Sequence, residues 1–347
     1  MNLLGFLRKQ PPHPPQPPRQ ETSLYALDHA LLNIPLPPPS MWMNMGYWKD
    51  TTDFPTACAS LLDQVLITAG LLGSNGEAIE RPANRRLRLL DVGIGCGDQS
   101  LRILDYRRKP QDAEKDQDEQ PLFDTYTGLT SLPVQASFAR SRVAEAQKIK
   151  AKDEKRQTRA SVFCADAADP GKWDGEIHHS LPTPTPNTSS TREEEGQENE
   201  GEEETWLLAL DTLYHFLPSR SPLLTYTSTN FDASLMTFDL LLPTPPPSLL
   251  TRFLLYILCL VTLTPYSNLL TESQYRSLLI EAGYDAEKIV FRDISQHVFP
   301  GISRFMRQRE GLLRDYGMKI GGFKWAGRVM GWWGRGVLRG VIVVARR

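Results

Sequence analysis

Short apolar segments alternate along the chain with longer segments of helical periodicity. The apolar segments predict strands at residues 87–92, 125–130, 161–165, 206–210, 234–242, 288–293 and 341–345. The periodic segments predict helices at residues 54–72, 99–107, 133–150, 247–263 and 272–282. Apolar strands that alternate with helices are typical of a parallel sheet covered on both faces. The pattern therefore predicts an α/β fold with a doubly wound, seven-stranded, mostly parallel sheet.

Two segments lack this pattern and are predicted to be disordered. Residues 1–38 carry repeated proline pairs, which favour extended backbone and remove amide donors. Residues 174–204 begin with prolines, serines and threonines and end in a dense run of glutamates, whose mutual repulsion opposes packing. The remaining chain, residues 39–347, is long enough to form one large domain.

The first predicted strand runs directly into three glycines at alternate positions and then into a helix. The sequence LLDVGIGCGDQS holds Gly93, Gly95 and Gly97 in this turn. Such a turn brings bare backbone against a nucleotide, which is typical of Rossmann-like folds. The dinucleotide fingerprint has its third glycine one residue later, so this spacing favours S-adenosylmethionine over NAD. Asp91 and Gln99 flank the turn and complete this group of candidate cofactor ligands; a glycine-rich turn without a ligand is the alternative.

Polar residues also follow the second and third predicted strands. Thr130 stands where many nucleotide-binding sheets have a carboxylate for the ribose hydroxyls. Asp166 and Ala167 follow the third strand, where a carboxylate beside a free amide suits the edge of an adenine ring. Asp166 has a second interpretation, as a cap for the turn that opens at Asp169.

Three motifs in this order carry a resemblance to a known family. They are the glycine motif at 90–97, the sequence GLTSLPVQ at 128–135 and the sequence MGYW at 45–48. On these motifs the chain resembles the class I S-adenosylmethionine-dependent methyltransferases, and within them the sterol, tocopherol and cyclopropane-fatty-acid methyltransferase branch. The resemblance covers about residues 41–211 and departs from that branch at 131–132, where the serine precedes the hydrophobic residue.

The resemblance implies roles for three further residues. Tyr47 and Trp48 would close over the bound cofactor, and Gln135 would lie near its ribose. Aromatic rings also suit a sulfonium on physical grounds, because the ring quadrupole attracts a positive charge. The aromatic segment has an alternative role as a hydrophobic staple for the helix that follows it.

The fourth predicted strand ends in the sequence LDTLYHF, which brings Asp211, Tyr214 and His215 to the same edge of the sheet. Methyl transfer from a sulfonium is an in-line displacement, so an oxygen or nitrogen acceptor needs alignment and a base. His215 is the candidate base, because imidazole titrates near neutral pH, and Asp211 or Tyr214 would orient it or the substrate. Alternatively, His215 caps a helix or binds a buried carbonyl, and a carbon or thiol acceptor needs no histidine.

The chain changes in character after residue 242. The very apolar segment at 249–261 predicts a helical cover over the acceptor site, which implies an apolar acceptor or a membrane surface; an ordinary buried helix is the alternative. Residues 302–347 form a basic region with three tryptophans, in which eleven Lys or Arg residues stand against two acids. This mixture favours peripheral contact with an anionic bilayer over nucleic acid, and the basic residues could instead simply flank the last strand.

Composition limits the remaining possibilities. The four cysteines are far apart and predict neither a zinc site nor disulfides, so we expect no metal and an intracellular, cytoplasmic location. The longest apolar stretch, 253–263, is shorter than the roughly 20 residues of a spanning helix. The sequence thus predicts methyl transfer from S-adenosylmethionine to a lipophilic small molecule. The alternatives are a non-catalytic cofactor-binding scaffold or partner subunit, and an NAD-dependent oxidoreductase.

Overall fold

The computed structural model describes residues 34–82, 84–111, 119–153, 156–181, 203–262 and 264–347. Seven strands in this part of the chain form one sheet in the order β5-β4-β1-β6-β7-β9-β8. β9 is antiparallel to both of its neighbours, and the other paired strands are parallel. The strands, including the short β2–β3 hairpin outside this sheet, are β1 Arg86–Val92, β2 Arg107–Arg108, β3 Gln120–Pro121, β4 Thr125–Thr130, β5 Arg159–Cys164, β6 Glu203–Leu210, β7 Ser234–Leu241, β8 Ile289–Asp293 and β9 Arg339–Ala345.

Helices cover both faces of the sheet. They are α1 Phe54–Thr68, α2 Asp98–Asp105, α3 Pro133–Asp153, α4 Gly175–Ser180, α5 Ser221–Phe231, α6 Leu249–Thr262, α7 Glu272–Glu281, α8 Ser295–Asp315 and α9 Phe323–Trp332. Alternate residues of β1 point to opposite faces, so Leu89 packs in one apolar cluster with Leu62 of α1, and Leu90 in a second cluster with Leu279 of α7. The predicted doubly wound sheet is confirmed.

All seven predicted strands and all five predicted helices are present, with ends shifted by a few residues. The sequence pattern missed the β2–β3 hairpin and the helices α4, α5, α8 and α9. α8 contains Pro300, and α9 contains Gly327 and Gly331, which are poor helix formers. These helices depend on tertiary packing, because a Cβ on Gly331 would lie 2.7 Å from Oγ of Ser303 on the neighbouring helix.

The prediction of disorder across all of 174–204 is wrong at both ends. Asp174 caps α4 by accepting a hydrogen bond from the amide of Ile177 at 2.9 Å. Glu204 lies within β6 and pairs with Arg81 at 2.7 Å. Because both carboxylates have partners, charge repulsion does not keep these two ends of the segment from folding. Residues 182–202, and residues 1–33 of the predicted proline-rich arm, lie outside the described residues.

Candidate active site

A large cavity lies beyond the carboxyl ends of β1, β4, β5 and β6. Its volume is about 1070 Å³. The loops that follow these four strands line one side, where ligands bind in open α/β sheets. Residues 41–45, the start of α1 and the helices α8 and α9 line the other side. The cavity therefore joins the usual position of a nucleotide site in such folds to a second compartment made by the C-terminal helices.

The three glycines after β1 have three different surroundings. A Cβ on Gly93 would lie 2.7 Å from Oγ1 of Thr212, and one on Gly97 would lie 3.0 Å from Cβ of Ala139 on α3. A Cβ on Gly95 would meet no atom within 4 Å, and Gly95 lines the cavity. Gly93 and Gly97 thus allow close packing within the fold, whereas Gly95 opens its main chain to the cavity.

Asp91 lies beneath this turn and does not line the cavity. Its carboxylate accepts hydrogen bonds from Nε2 of Gln99 at 2.6 Å and from the hydroxyl of Tyr126 at 2.8 Å. Complete burial raises the pKa of Asp91 to about 7. The prediction that Asp91 binds the cofactor directly is wrong for this arrangement, because its side chain is fully buried and does not border the cavity. Asp91 instead positions Gln99, which lines the cavity.

The residues predicted after β4 and β5 line the cavity together. The Thr130 hydroxyl donates to Oε1 of Gln135 at 2.9 Å, so the two side chains form one polar pair. Asp166 accepts a hydrogen bond from the amide of Ala168 at 2.9 Å through Oδ1, so its side chain does not cap the turn that opens at Asp169, its alternative role. Asp166 and Ala167 both border the cavity.

Tyr47 and Trp48 do not line the cavity. The Tyr47 amide donates to the carbonyl of Ala57 at 2.8 Å, and the indole Nε1 of Trp48 donates to the carbonyl of Met45 at 2.8 Å. The Trp48 ring lies 5.4 Å from that of Phe305 on α8. The prediction that these aromatic rings close over the cofactor is therefore wrong in this structure. The Trp48 ring also lies 6.2 Å from that of Phe54, so contact with the helix that follows, the alternative role, is observed together with the contact to α8. The preceding residues 41–45 border the cavity instead.

Asp98, which the sequence analysis did not assign, anchors this N-terminal segment. Its carboxylate accepts hydrogen bonds from the amide of Met41 at 3.1 Å and from Arg142 on α3 at 2.7 Å. Asp98 opens α2, where the positive end of the helix dipole also favours a carboxylate. Residues 41–45 are thus held across the glycine turn.

The loop after β6 brings Asp211, Tyr214 and His215 to the cavity, as the sequence predicts. The Asp211 carboxylate accepts hydrogen bonds from the amide of Met45 and from the hydroxyl of Tyr214, each at 2.8 Å. Burial raises the pKa of Asp211 to about 7. Asp211 therefore orients Tyr214 and the N-terminal segment, and it does not bond to His215.

The side chain of His215 borders the cavity. Its ring lies 4.2 Å from the ring of Tyr214, and its Nδ1 lies 3.4 Å from Oγ1 of Thr264. Surrounding atoms lower its pKa below the ordinary value, because they desolvate the charged form. A neutral imidazole is the form that can accept a proton.

A buried polar network that the sequence analysis missed holds the backbone around His215. The side-chain amide of Asn268 donates to the carbonyls of Phe216 at 2.7 Å and of Tyr214 at 3.3 Å. Arg220 donates in turn to the carbonyl of Asn268 and to Asp239. No local motif marks these residues, since they come from four separate places in the chain. They tie the backbone at 214–216 to the core of the fold through buried hydrogen bonds.

The second compartment is largely apolar. α8, α9 and the loop between them line it with Ile302, Phe305, Met306, Leu313, Ile320, Phe323, Ala326 and Met330, and with two cations, Arg309 and Lys319. The prediction that the helix at 247–263 covers the acceptor site is wrong, because α6 does not line the cavity and the C-terminal helices take that place. Most apolar side chains of α6 point to solvent, so α6 is not an ordinary buried helix either.

Metal-ligand residues do not cluster in the part of the chain described here: no three of its His, Cys, Asp or Glu residues are arranged to hold an ion. Among the described helices, none combines the length and the apolar character needed to span a membrane.

Known proteins resemble the chain in structure. No family model matches it, and no curated protein matches it in sequence. Mycolic acid cyclopropane synthase CmaA1, solved in complex with SAH and CTAB, matches with a TM-score of 0.56 and 12% identity over 92% of this chain and 95% of that chain. The cyclopropane synthase MmaA2 from Mycobacterium tuberculosis matches with a TM-score of 0.52 and 14% identity over 88% of this chain and 90% of that chain. The predicted resemblance to this branch is confirmed at the level of the fold.

Proposed function

We propose that this chain is an enzyme that transfers a methyl group from S-adenosylmethionine to an apolar small molecule. The observation that carries the proposal is a single cavity in which the open main chain of Gly95 faces an apolar compartment. S-adenosylmethionine supplies an electrophilic methyl group on a positively charged sulfur. The likeness in fold to CmaA1, which was solved with SAH, supports the same cofactor here.

The residues around the cavity fit this cofactor. Gly95 presents main chain without a side chain, which is what close approach of a nucleoside requires. The Thr130–Gln135 pair offers hydrogen-bonding groups where a ribose would lie. Asp166 has a second carboxylate oxygen, and the amide of Ala167, the next residue along the cavity wall, donates no hydrogen bond within the described residues. An acceptor and a donor on neighbouring residues suit the edge of adenine.

The chain's own contribution to the reaction is alignment, exclusion of water and removal of a proton. The apolar side chains of α8 and α9 hold the acceptor and keep water away from it. His215 takes the proton from a hydroxyl or an amine as that atom attacks, and it then becomes a cation beside the Tyr214 ring. Asp211 and Tyr214 position this loop against Met45. An anionic group on the acceptor would find its partners in Arg309 and Lys319.

Two measurements test this function. We expect calorimetric titration to show binding of S-adenosylmethionine and none of NAD. Incubation with methyl-labelled S-adenosylmethionine and a fractionated cell extract should then label an apolar product. Binding without label in any fraction would favour the non-catalytic scaffold, and binding of NAD in preference to S-adenosylmethionine would contradict the assigned cofactor.

We also propose that α6 contacts a membrane surface. Its sequence contains no acidic residue, and eight of its 14 residues are exposed apolar side chains, with Leu249 exposed to 81% and Val261 to 76%. A helix of this length extends about 21 Å, which is shorter than the roughly 30 Å hydrocarbon core of a bilayer. The helix would therefore lie in the plane of the interface with its apolar face in the lipid.

Vesicle flotation tests this contact. We expect the wild-type chain to float with phosphatidylcholine vesicles and the variant Leu249→Ser/Leu250→Ser/Phe253→Ser to stay in solution. The matched control, Ile280→Ser/Val290→Ser/Leu312→Ser, removes three exposed apolar side chains from other elements. Equal flotation of both triple variants would contradict the proposed membrane face.

A further inference from the structure

A second groove, separate from the cavity, is lined by four arginines. Arg304 and Arg307 come from α8, Arg328 comes from α9, and Arg335 comes from the turn after it. The groove has a volume of about 400 Å³, and its other lining residues are proline, serine and glycine, with no carboxylate among them. At about 30 Å³ for each water, this volume is ample for a small polyatomic anion.

The groove and the cavity use opposite faces of α8. Residues 302, 305, 306 and 309 line the cavity, whereas residues 300, 303, 304 and 307 line the groove. At about 100° per residue, these two sets lie on opposite sides of the helix. The groove is therefore a site of its own, and it does not depend on the proposed methyl transfer.

Glycines bring the arginines of the two helices together. A Cβ on Gly331 would lie 2.7 Å from Oγ of Ser303, and a Cβ on Gly327 would lie 2.8 Å from Cβ of Met306. Helix α9 can pack this closely on α8 only because these side chains are absent. Close packing places the guanidinium groups around one groove, where they repel one another unless an anion balances them.

In the part of the chain that the structure describes, no carboxylate forms an ion pair with the arginines of the groove. Within the described residues, Arg304, Arg307 and Arg335 have no carboxylate within 4.0 Å, and Arg328 lies over the ring of Trp325 at 5.4 Å. Glu310, the acid on this part of α8, is paired with Lys324 at 2.5 Å and also attracts the charge of Arg328. The charges of Arg304, Arg307 and Arg335 are therefore the ones most available to a ligand.

We propose that this groove binds a phosphate monoester group. Each guanidinium is a planar fork of donors that matches two oxygens of a phosphate, and arginines from two helices can contact several oxygens of one dianion. A single carboxylate would engage fewer of the four. The phosphate belongs either to a soluble phosphate compound or to the headgroup of a lipid such as phosphatidic acid, and the experiment separates these sources.

Calorimetric titration with inorganic phosphate and with pyrophosphate tests the site. The groove variant is Arg304→Gln/Arg307→Gln, and the control, Arg314→Gln/Lys148→Gln, removes the same charge from exposed positions outside the groove. We expect the groove variant to lose at least about tenfold in affinity, because charge-assisted hydrogen bonds are removed. The control should stay within about twofold of wild type, since exposed charges contribute little at a distance.

Sedimentation with vesicles separates the two sources. Vesicles of phosphatidylcholine with phosphatidic acid are compared with vesicles in which phosphatidylglycerol, a diester, supplies the same surface charge. A preference for phosphatidic acid that the groove variant loses assigns the lipid headgroup, and soluble phosphate binding without that preference assigns a soluble ligand; both support the site. Equal affinities of wild type and groove variant for every phosphate probe would overturn it, as would binding of single-stranded RNA alone.

A second variant, Arg328→Gln/Arg335→Gln, removes the charges from the other side of the groove. It should show the same loss of phosphate affinity while keeping the wild-type circular dichroism spectrum and melting midpoint. If this variant binds phosphate as tightly as wild type, the groove is not the site.

Discussion

Replacing Gly95 by alanine separates backbone strain from loss of the ligand. Gly95 has φ = +56°, and a non-glycine residue in this left-handed region costs about 1–2 kcal/mol. Space for the Cβ exists, because no atom lies within 4 Å of its position. We therefore expect Gly95→Ala to fold, with a melting midpoint lower by a few degrees. The added methyl enters the cavity where the cofactor would meet the main chain. Overpacking there costs about 1–3 kcal/mol, which is about fivefold to about 150-fold in the dissociation constant.

Gly76 provides the matched control. Its φ is +82°, and a Cβ there would also meet nothing within 4 Å, but Gly76 lies in the turn before β1 and does not line the cavity. Gly76→Ala should lose a similar amount of stability and keep wild-type affinity for S-adenosylmethionine in calorimetric titration. The reasoning is refuted if Gly95→Ala and Gly76→Ala bind S-adenosylmethionine equally well, because the main chain at 95 would then not contact the cofactor. Gly95→Val, with a larger side chain, should abolish binding altogether.

Three further changes test the loop after β6. His215→Ala should slow methyl transfer by about 10²-fold or more and leave the affinity for S-adenosylmethionine intact, and unaltered turnover would remove His215 from the mechanism. Asn268→Ala should lower kcat more than it raises KM, because it frees the backbone around His215 without touching a ligand; an equal change in both would indicate a merely structural role. Asp211→Asn should flatten the pH dependence of stability. Burial raises the pKa of Asp211 from 3.8 to about 7, so between these values the folded chain holds a proton that the unfolded chain has lost. The free energy of unfolding then falls by up to about 1.4 kcal/mol per pH unit as the pH rises through this window. Urea unfolding at several pH values measures that slope, and an unchanged slope in Asp211→Asn would contradict the assignment.

Local sequence pattern predicted the sheet and the strand-end loops. The strands are apolar segments, which can be recognised without knowing what they pack against. The turn after β1 is marked by three glycines, all of which have positive φ. Position along the chain then predicted correctly that Thr130, Asp166 and His215 would meet at one edge, because parallel strands end at the same edge.

Side-chain roles were predicted less well, because they depend on partners distant in sequence. Asp91 has the residue type of a ligand, yet it is fully buried, where its carboxylate accepts hydrogen bonds from Gln99 and Tyr126. Trp48 has an aromatic ring of the kind that can bind a positively charged sulfur. Phe305, more than 250 residues later in the chain, packs against that ring instead. A single sequence does not indicate which of two buried groups will meet, so such roles require the structure.

The apolar compartment shows why the acceptor side of the site was misassigned. The sequence pattern favoured α6 as the cover because α6 is the most continuous apolar segment after β7. Its apolar side chains are instead exposed, and the cavity is lined by α8 and α9, whose apolar residues are interrupted by arginines and glycines. The glycines allow α9 to pack closely on α8, and the groove arginines of α8 lie on the face opposite the cavity. One face of α8 lines the cavity and the opposite face lines the groove. The helix as a whole is therefore less apolar than the face that lines the acceptor compartment, and a search for continuous apolar segments does not detect it.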